Sequence, residues 1–307
     1  MPIVRIAWII GFILVALSFE SAARAQENQS ISSDGITIRA TESGATSSPG
    51  YAGTGQEVAG VEPESAAEVW ELWSKQPVSA PAGIESIIGA DNRILVNPTT
   101  SYPYRAVVLI TFSAGRCTGW LINANTVATA GHCVHQGNGG SFYPVSSYRI
   151  YPGRNGAASP YGSCTARRLH TVAGWATNGL DTYDYGAIRL NCTVGTRTGW
   201  FGFFWTSASL LNLPTTISGY PGDKPLTQWR SHDRVRVSQA QRVFYQNDTI
   251  GGQSGAPVYY NRTGCGICSM AVHAYGTYNG PPFSTNNHGT RITQAVFNNL
   301  IAWRNAP

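Results

Sequence analysis

From Tyr104 onward the chain alternates short β-branched and aromatic runs with turn signals, at 105–112, 126–130, 148–151, 185–190, 215–218, 234–237, 256–260 and 270–274. Runs this short, bounded by Gly, Pro, Asn and Asp, pair as strands, so the spacing predicts an all-β sandwich or barrels. One helix is predicted, at the end of the chain, where Ile292, Val296, Leu300 and Trp303, flanked by Phe297 and Ile301, recur at helical period. With 12% charged residues and 34 glycines, a coiled coil and a charge-driven disordered chain are excluded.

Residues 1–25 read as a secretory signal peptide: Arg5 precedes the apolar run 6–19, which is short for a membrane span, and Ala23-Arg24-Ala25 supplies an A-x-A cleavage site. The protein is therefore expected to be secreted and extracellular, with no membrane attachment after signal removal. All six cysteines, Cys117, Cys133, Cys164, Cys192, Cys265 and Cys268, lie beyond residue 86, and an even number in an exported domain favours three disulfides. Spacing alone leaves their pairing open. Cys265-x-x-Cys268 also suits zinc, but no second CxxC and no histidine pair at ligand spacing accompanies it, so no metal and no cofactor is expected.

Residues 26–85 are rich in Ser, Gly, Ala and Glu and poor in large apolar side chains, apart from Val69-Trp70-Glu71-Leu72-Trp73. They read as a propeptide, with a flexible linker of no role as the alternative. Charge divides at the same place: residues 1–85 hold four Lys and Arg against ten Asp and Glu, whereas 86–307 hold seventeen against six. A basic domain raises nucleic acid as a partner, but the arginines are scattered, only Arg167-Arg168 being adjacent, and no aromatic-basic module accompanies them. No nucleic-acid binding is expected, and acidic peptide substrates suit this field better.

A serine hydroxyl becomes a nucleophile when an imidazole takes its proton, and the imidazole does so well when a carboxylate fixes its tautomer. Gly251-Gly252-Gln253-Ser254-Gly255 supplies the serine in a turn that exposes the hydroxyl, and the N–H groups of Gly252 and Ser254 can form an oxyanion hole. Thr129-Ala130-Gly131-His132-Cys133 supplies the histidine at the end of a strand. Asp184 supplies the acid where a loop enters the apolar run 185–190; an unpaired carboxylate there is costly. Asp181 is the rival, in a more polar loop.

In the order His132, Asp184, Ser254, these elements resemble the chymotrypsin-like serine peptidases, and more closely the secreted bacterial glutamyl endopeptidases. The resemblance covers nearly all of 86–307, through Ile87-Ile88-Gly89-Ala90-Asp91-Asn92-Arg93 at the family's mature start, Tyr102-Pro103-Tyr104-Arg105-Ala106, Cys117-Thr118-Gly119-Trp120 and Ser218-Gly219-Tyr220-Pro221-Gly222-Asp223-Lys224. It implies two antiparallel six-stranded β-barrels dividing near 195–210, a cleft between them and a C-terminal helix, with Cys117–Cys133 and Cys265–Cys268 bridged. Cys164 and Cys192 remain to pair with each other.

Gln253 departs from the trypsin branch, where an aspartate at this position receives the new N-terminal amine. In the glutamyl branch the amine helps form the S1 pocket for an acidic side chain, together with a histidine and a threonine, which the resemblance carries onto His273, Thr249 and the amine of Ser86. His135, His170, His232 and His288 sit among polar or Gly-rich neighbours and are expected at the surface.

One pattern needs no resemblance. All nine glutamates precede residue 86, although a domain the length of 86–307 ordinarily holds on the order of ten. An enzyme cutting after Glu would destroy itself at exposed glutamates, and the last, Glu85, falls where the mature chain is expected to begin. The expectation is a monomeric endopeptidase made as a zymogen that cuts polypeptides after Glu, and Asp more weakly, with its own propeptide as partner. The alternatives are the same triad with a broad or apolar P1 preference, and a catalytically silent binding protein on a peptidase scaffold.

Overall fold

Sixteen strands run through the described residues, 23–78 and 86–307 of this computed structural model. In chain order they are β1 (Ser30–Ser32), β2 (Ser47–Ser48), β3 (Ile94–Leu95), β4 (Val107–Phe112), β5 (Gly115–Leu121), β6 (Thr126–Thr129), β7 (Arg149–Pro152) and β8 (Cys164–Val172). There follow β9 (Gly186–Leu190), β10 (Gly202–Phe204), β11 (Pro214–Gly219), β12 (Trp229–Ser238), β13 (Arg242–Tyr245), β14 (Pro257–Arg262), β15 (Gly266–Tyr275) and β16 (Asn287–Arg291). The apolar run of the signal peptide and Glu85 lie outside the described residues.

Every residue of β4 is buried, so this strand needs cover on both faces and the sheet provides it by closing. β4 pairs with β5 and β7, β5 with β6, β6 with β9, and β8 with both β7 and β9, all antiparallel. The second half repeats the closure: β11 pairs with β12 and β14, β12 with β13, β13 with β16, and β15 with β14 and β16. The chain thus forms two six-stranded antiparallel barrels, as expected. The first ends at Leu190 and the second opens at Pro214, with β10 between them lying parallel on β15. The helix Gln294–Asn305 follows, capped by Thr293, whose hydroxyl accepts the N–H of Val296. It buries Val296, Phe297, Leu300 and Trp303, with Phe297 5.1 Å from Phe203.

The described part of the leader, residues 23–78, makes fixed contacts with the domain that follows. β1 adds an antiparallel strand to β8 and β2 adds one to β10, so the leader contributes to both sheets. Its apolar stretch lies on the helix Ala66–Ser74, which opens with a capping box between Ser65 and Glu68. A linker without fixed contacts is therefore overturned. Composition misleads here because the leader satisfies its backbone on existing sheet edges and needs no core of its own.

The histidines also correct an expectation. His232 is exposed, but His135, His170 and His288 are buried. Aromatic rings receive them: His170 stacks on Trp303 at 5.6 Å, His288 stacks on Tyr275 at 5.0 Å and on Phe244 at 5.1 Å, and Phe142 meets His135 edge-on at 4.7 Å. Burial holds both His170 and His288 down at about 3, whereas the unfolded chain protonates them near 6.5. Their contribution to stability is complete above about 6.5 and is lost as pH falls towards 3, at up to about 1.4 kcal/mol per pH unit for each ring. Urea midpoints of the full-length Ser254→Ala chain at pH 7 and pH 5 test this, and equal midpoints would reject it.

Candidate active site

β6 ends at Thr129 and the chain turns tightly through Gly131–Cys133, bringing His132 beneath the loop that leads into β9. There the carboxylate of Asp184 accepts twice from the same residue: Oδ1 takes the His132 backbone N–H at 2.8 Å, and Oδ2 lies 2.7 Å from Nδ1. Both side chains are buried. An ionised carboxylate only accepts, so the ring proton sits on Nδ1 and Nε2 is left as the basic nitrogen. Asp181, the rival acid, pairs instead with Arg242 and accepts the Tyr278 hydroxyl at 3.3 Å.

Ser254 reaches the same seam from the second barrel. Its carbonyl accepts the Thr118 N–H at 2.9 Å and lies 3.7 Å from Sγ of Cys133, the neighbour of His132. Gly255 allows this approach: its φ is +87°, and a Cβ there would come within 2.2 Å of Thr118 O and 2.1 Å of Thr129 Oγ1. The Cys117–Cys133 disulfide ties the histidine turn to β5, closing a loop with a sequence separation of 16, worth about 3 kcal/mol in chain entropy. Cys164 is bonded to Cys192, and Cys265 to Cys268.

Amide directions follow from where the carbonyls point. The Gly251 carbonyl accepts the Gly222 N–H at 2.7 Å, and the Gln253 carbonyl accepts the Ala256 N–H at 2.9 Å. Across a trans peptide the N–H points opposite to the carbonyl, so the amides of Gly252 and Ser254 are each turned away from those contacts. Thr118, which the sequence offered only as part of a motif, locks the loop. Its hydroxyl donates to Gly252 O at 2.8 Å and accepts the Tyr220 N–H at 3.0 Å. Gln253 is buried and its Oε1 accepts the Ile250 N–H at 3.0 Å, so it braces its own turn where the trypsin branch keeps an aspartate.

Beside this loop, β15 carries His273. The Gly255 N–H donates to the His273 carbonyl at 2.7 Å, and the His273 N–H donates to Ala256 O at 2.9 Å, fixing the histidine strand to the serine strand. The Tyr245 hydroxyl lies 2.7 Å from His273 Nδ1. Nε2 of His273 and Oγ1 of Thr249 are both buried and have no hydrogen-bond partner among the described residues. Desolvation above all, with the nearby histidines His288 and His132, holds His273 down at about 3, so its ring is neutral near pH 7. Residue 86 is seated next to them. Its N–H donates to Asn287 Oδ1 at 3.0 Å, and its carbonyl accepts from Asn287 Nδ2 at 2.7 Å and from the Thr249 N–H at 3.3 Å.

Asp248, which the sequence reading passed over, holds the following residues. Its fully buried carboxylate accepts the N–H groups of Ile88 at 2.8 Å and Asn92 at 2.9 Å. Its position immediately before Thr249 was the only sequence signal. Removing it orphans two donors, so Asp248→Ala is expected to lower stability by about 2–5 kcal/mol. Urea unfolding of the Ser254→Ala chain with and without the change measures this, and a loss below about 1 kcal/mol counts against the clamp.

Two closed six-stranded barrels, the first holding a buried Asp184–His132 pair and the second a glycine-flanked Ser254 whose carbonyl meets Thr118 and Cys133 of the first, have the architecture of a chymotrypsin-like serine peptidase. The family model described as Trypsin matches residues 95–288, and the chain belongs to that family of serine endopeptidases. It is 48% identical over 237 residues to a glutamyl endopeptidase of Bacillus licheniformis, covering 76% of this chain and 73% of that protein. The solved structure of a Glu endopeptidase in complex with MPD superimposes with a TM-score of 0.64 at 29% identity, covering 72% of this chain and all of the other. A Bacillus subtilis protein named an extracellular metalloprotease is 37% identical over 304 residues, covering 94% of this chain and 92% of that one. Among the described residues the one grouping of potential metal donors is Cys117, His132 and Cys133. Its two sulfurs are bonded to each other, so it offers no thiolate.

Proposed function

We propose that the chain is the precursor of a secreted endopeptidase whose mature form begins at Ser86 and hydrolyses peptide bonds on the C-terminal side of Glu, with Asp a poorer P1 residue. His132 takes the proton of Ser254 Oγ as that oxygen attacks the scissile carbonyl, then gives it to the departing amine; Asp184 holds the imidazole and stabilises its charged form. The amides of Gly252 and Ser254 donate to the oxyanion, each such donor being worth roughly 3–4 kcal/mol. Water repeats the cycle on the acyl-enzyme.

The observation that carries the specificity is the pair of orphaned polar atoms, His273 Nε2 and Thr249 Oγ1. A buried group without a partner costs about 1–3 kcal/mol, and two beside a nucleophile indicate that the partner belongs to the substrate. Imidazole N–H, hydroxyl and the Ser86 amine together suit a carboxylate leaving water. The absence of glutamate from 86–307 supports the same reading, because the mature chain then offers its own kind no cleavage site. Initial rates on matched peptides carrying Glu, Gln, Asp, Phe or Arg at P1 test it; equal rates for Glu and Gln would reject a charged pocket. N-terminal sequencing of the secreted protein tests the start at Ser86.

A further inference from the structure

Beside the histidine turn, the outer edge of β5 accepts an extended chain. Arg116 precedes Cys117, whose disulfide partner Cys133 follows His132. Its N–H donates to Gln76 O at 3.1 Å and its carbonyl accepts the Val78 N–H at 3.0 Å, while its other side stays paired with Thr111 of β4. One N–H and one carbonyl on an edge serve a strand running in either direction. The walls of this groove are made for close backbone. A Cβ on Gly115 would lie 2.1 Å from Gln76 O, and one on Gly222 would lie 2.4 Å from the Pro77 ring. Trp73 Nε1 donates to Gly222 O at 3.2 Å, and the Gly222 N–H holds the Gly251 carbonyl at the start of the serine turn.

The Arg116 side chain lies buried in the same groove with donors to spare. Nε donates to Lys75 O at 2.5 Å, whereas Nη1 is buried and has no hydrogen-bond partner among the described residues. Arg93, Arg154 and Arg168 are buried as well, and each of them holds a carboxylate. Arg116 holds none of the described ones, and desolvation, with no opposite charge to offset it, pulls its pKa down to about 10. A buried guanidinium with an idle donor is completed by an anion, which it binds through charge-assisted hydrogen bonds.

We propose that this groove is a leaving-side subsite of the mature enzyme, in which the Arg116 guanidinium selects an acidic residue shortly after the scissile bond of the polypeptide substrate. The inference rests on the S1 site and the mature start proposed above. With the P1 side chain against His273 and Thr249, the acyl half of a substrate is committed to β15. The departing half crosses the serine turn towards β5, where Ser254 O accepts the Thr118 N–H two residues from Arg116. Residues 73–78 precede Ser86, so a chain that begins at Ser86 presents this edge to substrate. The substrate backbone then takes the Arg116 N–H and carbonyl, and its carboxylate supplies the acceptor that Nη1 lacks. The seventeen basic against six acidic residues of 86–307 favour the approach of such acidic segments.

The test uses mature enzyme released from the full-length chain, and peptides with Glu at P1 and either Asp or Asn at the first, second or third position after it. At one of these positions Asp is expected to raise kcat/KM about tenfold over Asn, and about 1 M salt should shrink that ratio below about threefold. In Arg116→Gln the Asp-to-Asn ratio should fall to about one, and in Arg116→Lys part of it should return. Equal rates for Asp and Asn at all three positions in the wild type would overturn the inference, as would an Asp preference that Arg116→Gln leaves intact. A second measurement needs no variant to fold: the wild-type acyl-enzyme is partitioned between water and added tripeptide amides, which enter from the leaving side. The best amide carrying Asp should capture the acyl group about tenfold more efficiently than its Asn counterpart, and equal capture would overturn the subsite. The P1 panel separates the two readings. A Glu preference with no Asp effect removes the subsite alone, whereas an Arg116-dependent Asp effect with no Glu preference removes the charged S1 pocket and supports the subsite.

Discussion

Asp184→Asn is expected to lower kcat by about 10⁴-fold while leaving the fold and KM nearly unchanged. The carboxylate now accepts both the backbone N–H of His132 and the proton on Nδ1. Asparagine has the same shape, and its carbonyl oxygen can keep one of these bonds. If that oxygen keeps the backbone N–H, the amide nitrogen faces Nδ1 as a donor, and the ring must move its proton to Nε2 to accept. The nitrogen needed to take the Ser254 proton is then already protonated. Because the side chain is fully buried, water cannot substitute for the lost acceptor. Steady-state kinetics on a P1 Glu peptide, with thermal unfolding as the control for folding, decide the matter. A decrease smaller than about tenfold in a folded variant would remove Asp184 from the role assigned to it.

How much of this was legible in the sequence depends on what each residue is for. β4 and β9 could be read because their runs serve packing alone, and burial selects β-branched and apolar side chains that alternate with turns. The strand β16 could not. Its residues Asn-His-Gly-Thr-Arg read as a polar loop, yet all five are buried. Asn287 holds Ser86, and Thr290 donates to Asp184 O at 3.1 Å. Arg291 donates to the carbonyls of Thr206 and Ala208. Polarity there is spent on positioning the site, and propensity cannot distinguish that use from exposure to solvent. β5 was missed for a different reason, because Gly119 must lack a side chain: a Cβ would meet Val127 Cγ1 at 2.5 Å and Ile110 Cδ1 at 2.9 Å. Three histidines look polar beside their immediate neighbours but are covered by aromatic rings, distant ones for His170 and His288 and Phe142, seven residues on, for His135. His132, Asp184 and Ser254 stood out because each sits at a junction of strand and turn with a recognisable local pattern. Thr118, Asp248 and Tyr245 act through contacts that span large sequence separations, and nothing adjacent to them signals it.

The second large effect is expected at His273, which the proposed specificity assigns to the S1 pocket. His273→Leu should lower kcat/KM for a P1 Glu peptide by about 10²-fold while changing a P1 Leu peptide less than about threefold. A hydrogen bond to a charged group is worth about 1.5–3 kcal/mol, and leucine offers the buried carboxylate no donor in its place. The ring is neutral in the closed chain, so it serves through its Nε2–H rather than through charge. That requires Nδ1 to accept, which the Tyr245 hydroxyl at 2.7 Å provides by donating its proton. The positive charge then has to come from the Ser86 amine, whose ordinary value is near 8. Preference for Glu over Gln is accordingly expected to decline as pH rises past about 8, where that amine loses its proton. The variant, processed by immobilised wild-type enzyme so that its own activation is not limiting, separates the contributions. Equal losses on the Glu and Leu peptides would mean that His273 supports the strand and not the substrate. A Glu-to-Gln ratio unchanged between pH 7 and pH 9.5 would mean that the amine does not face the pocket.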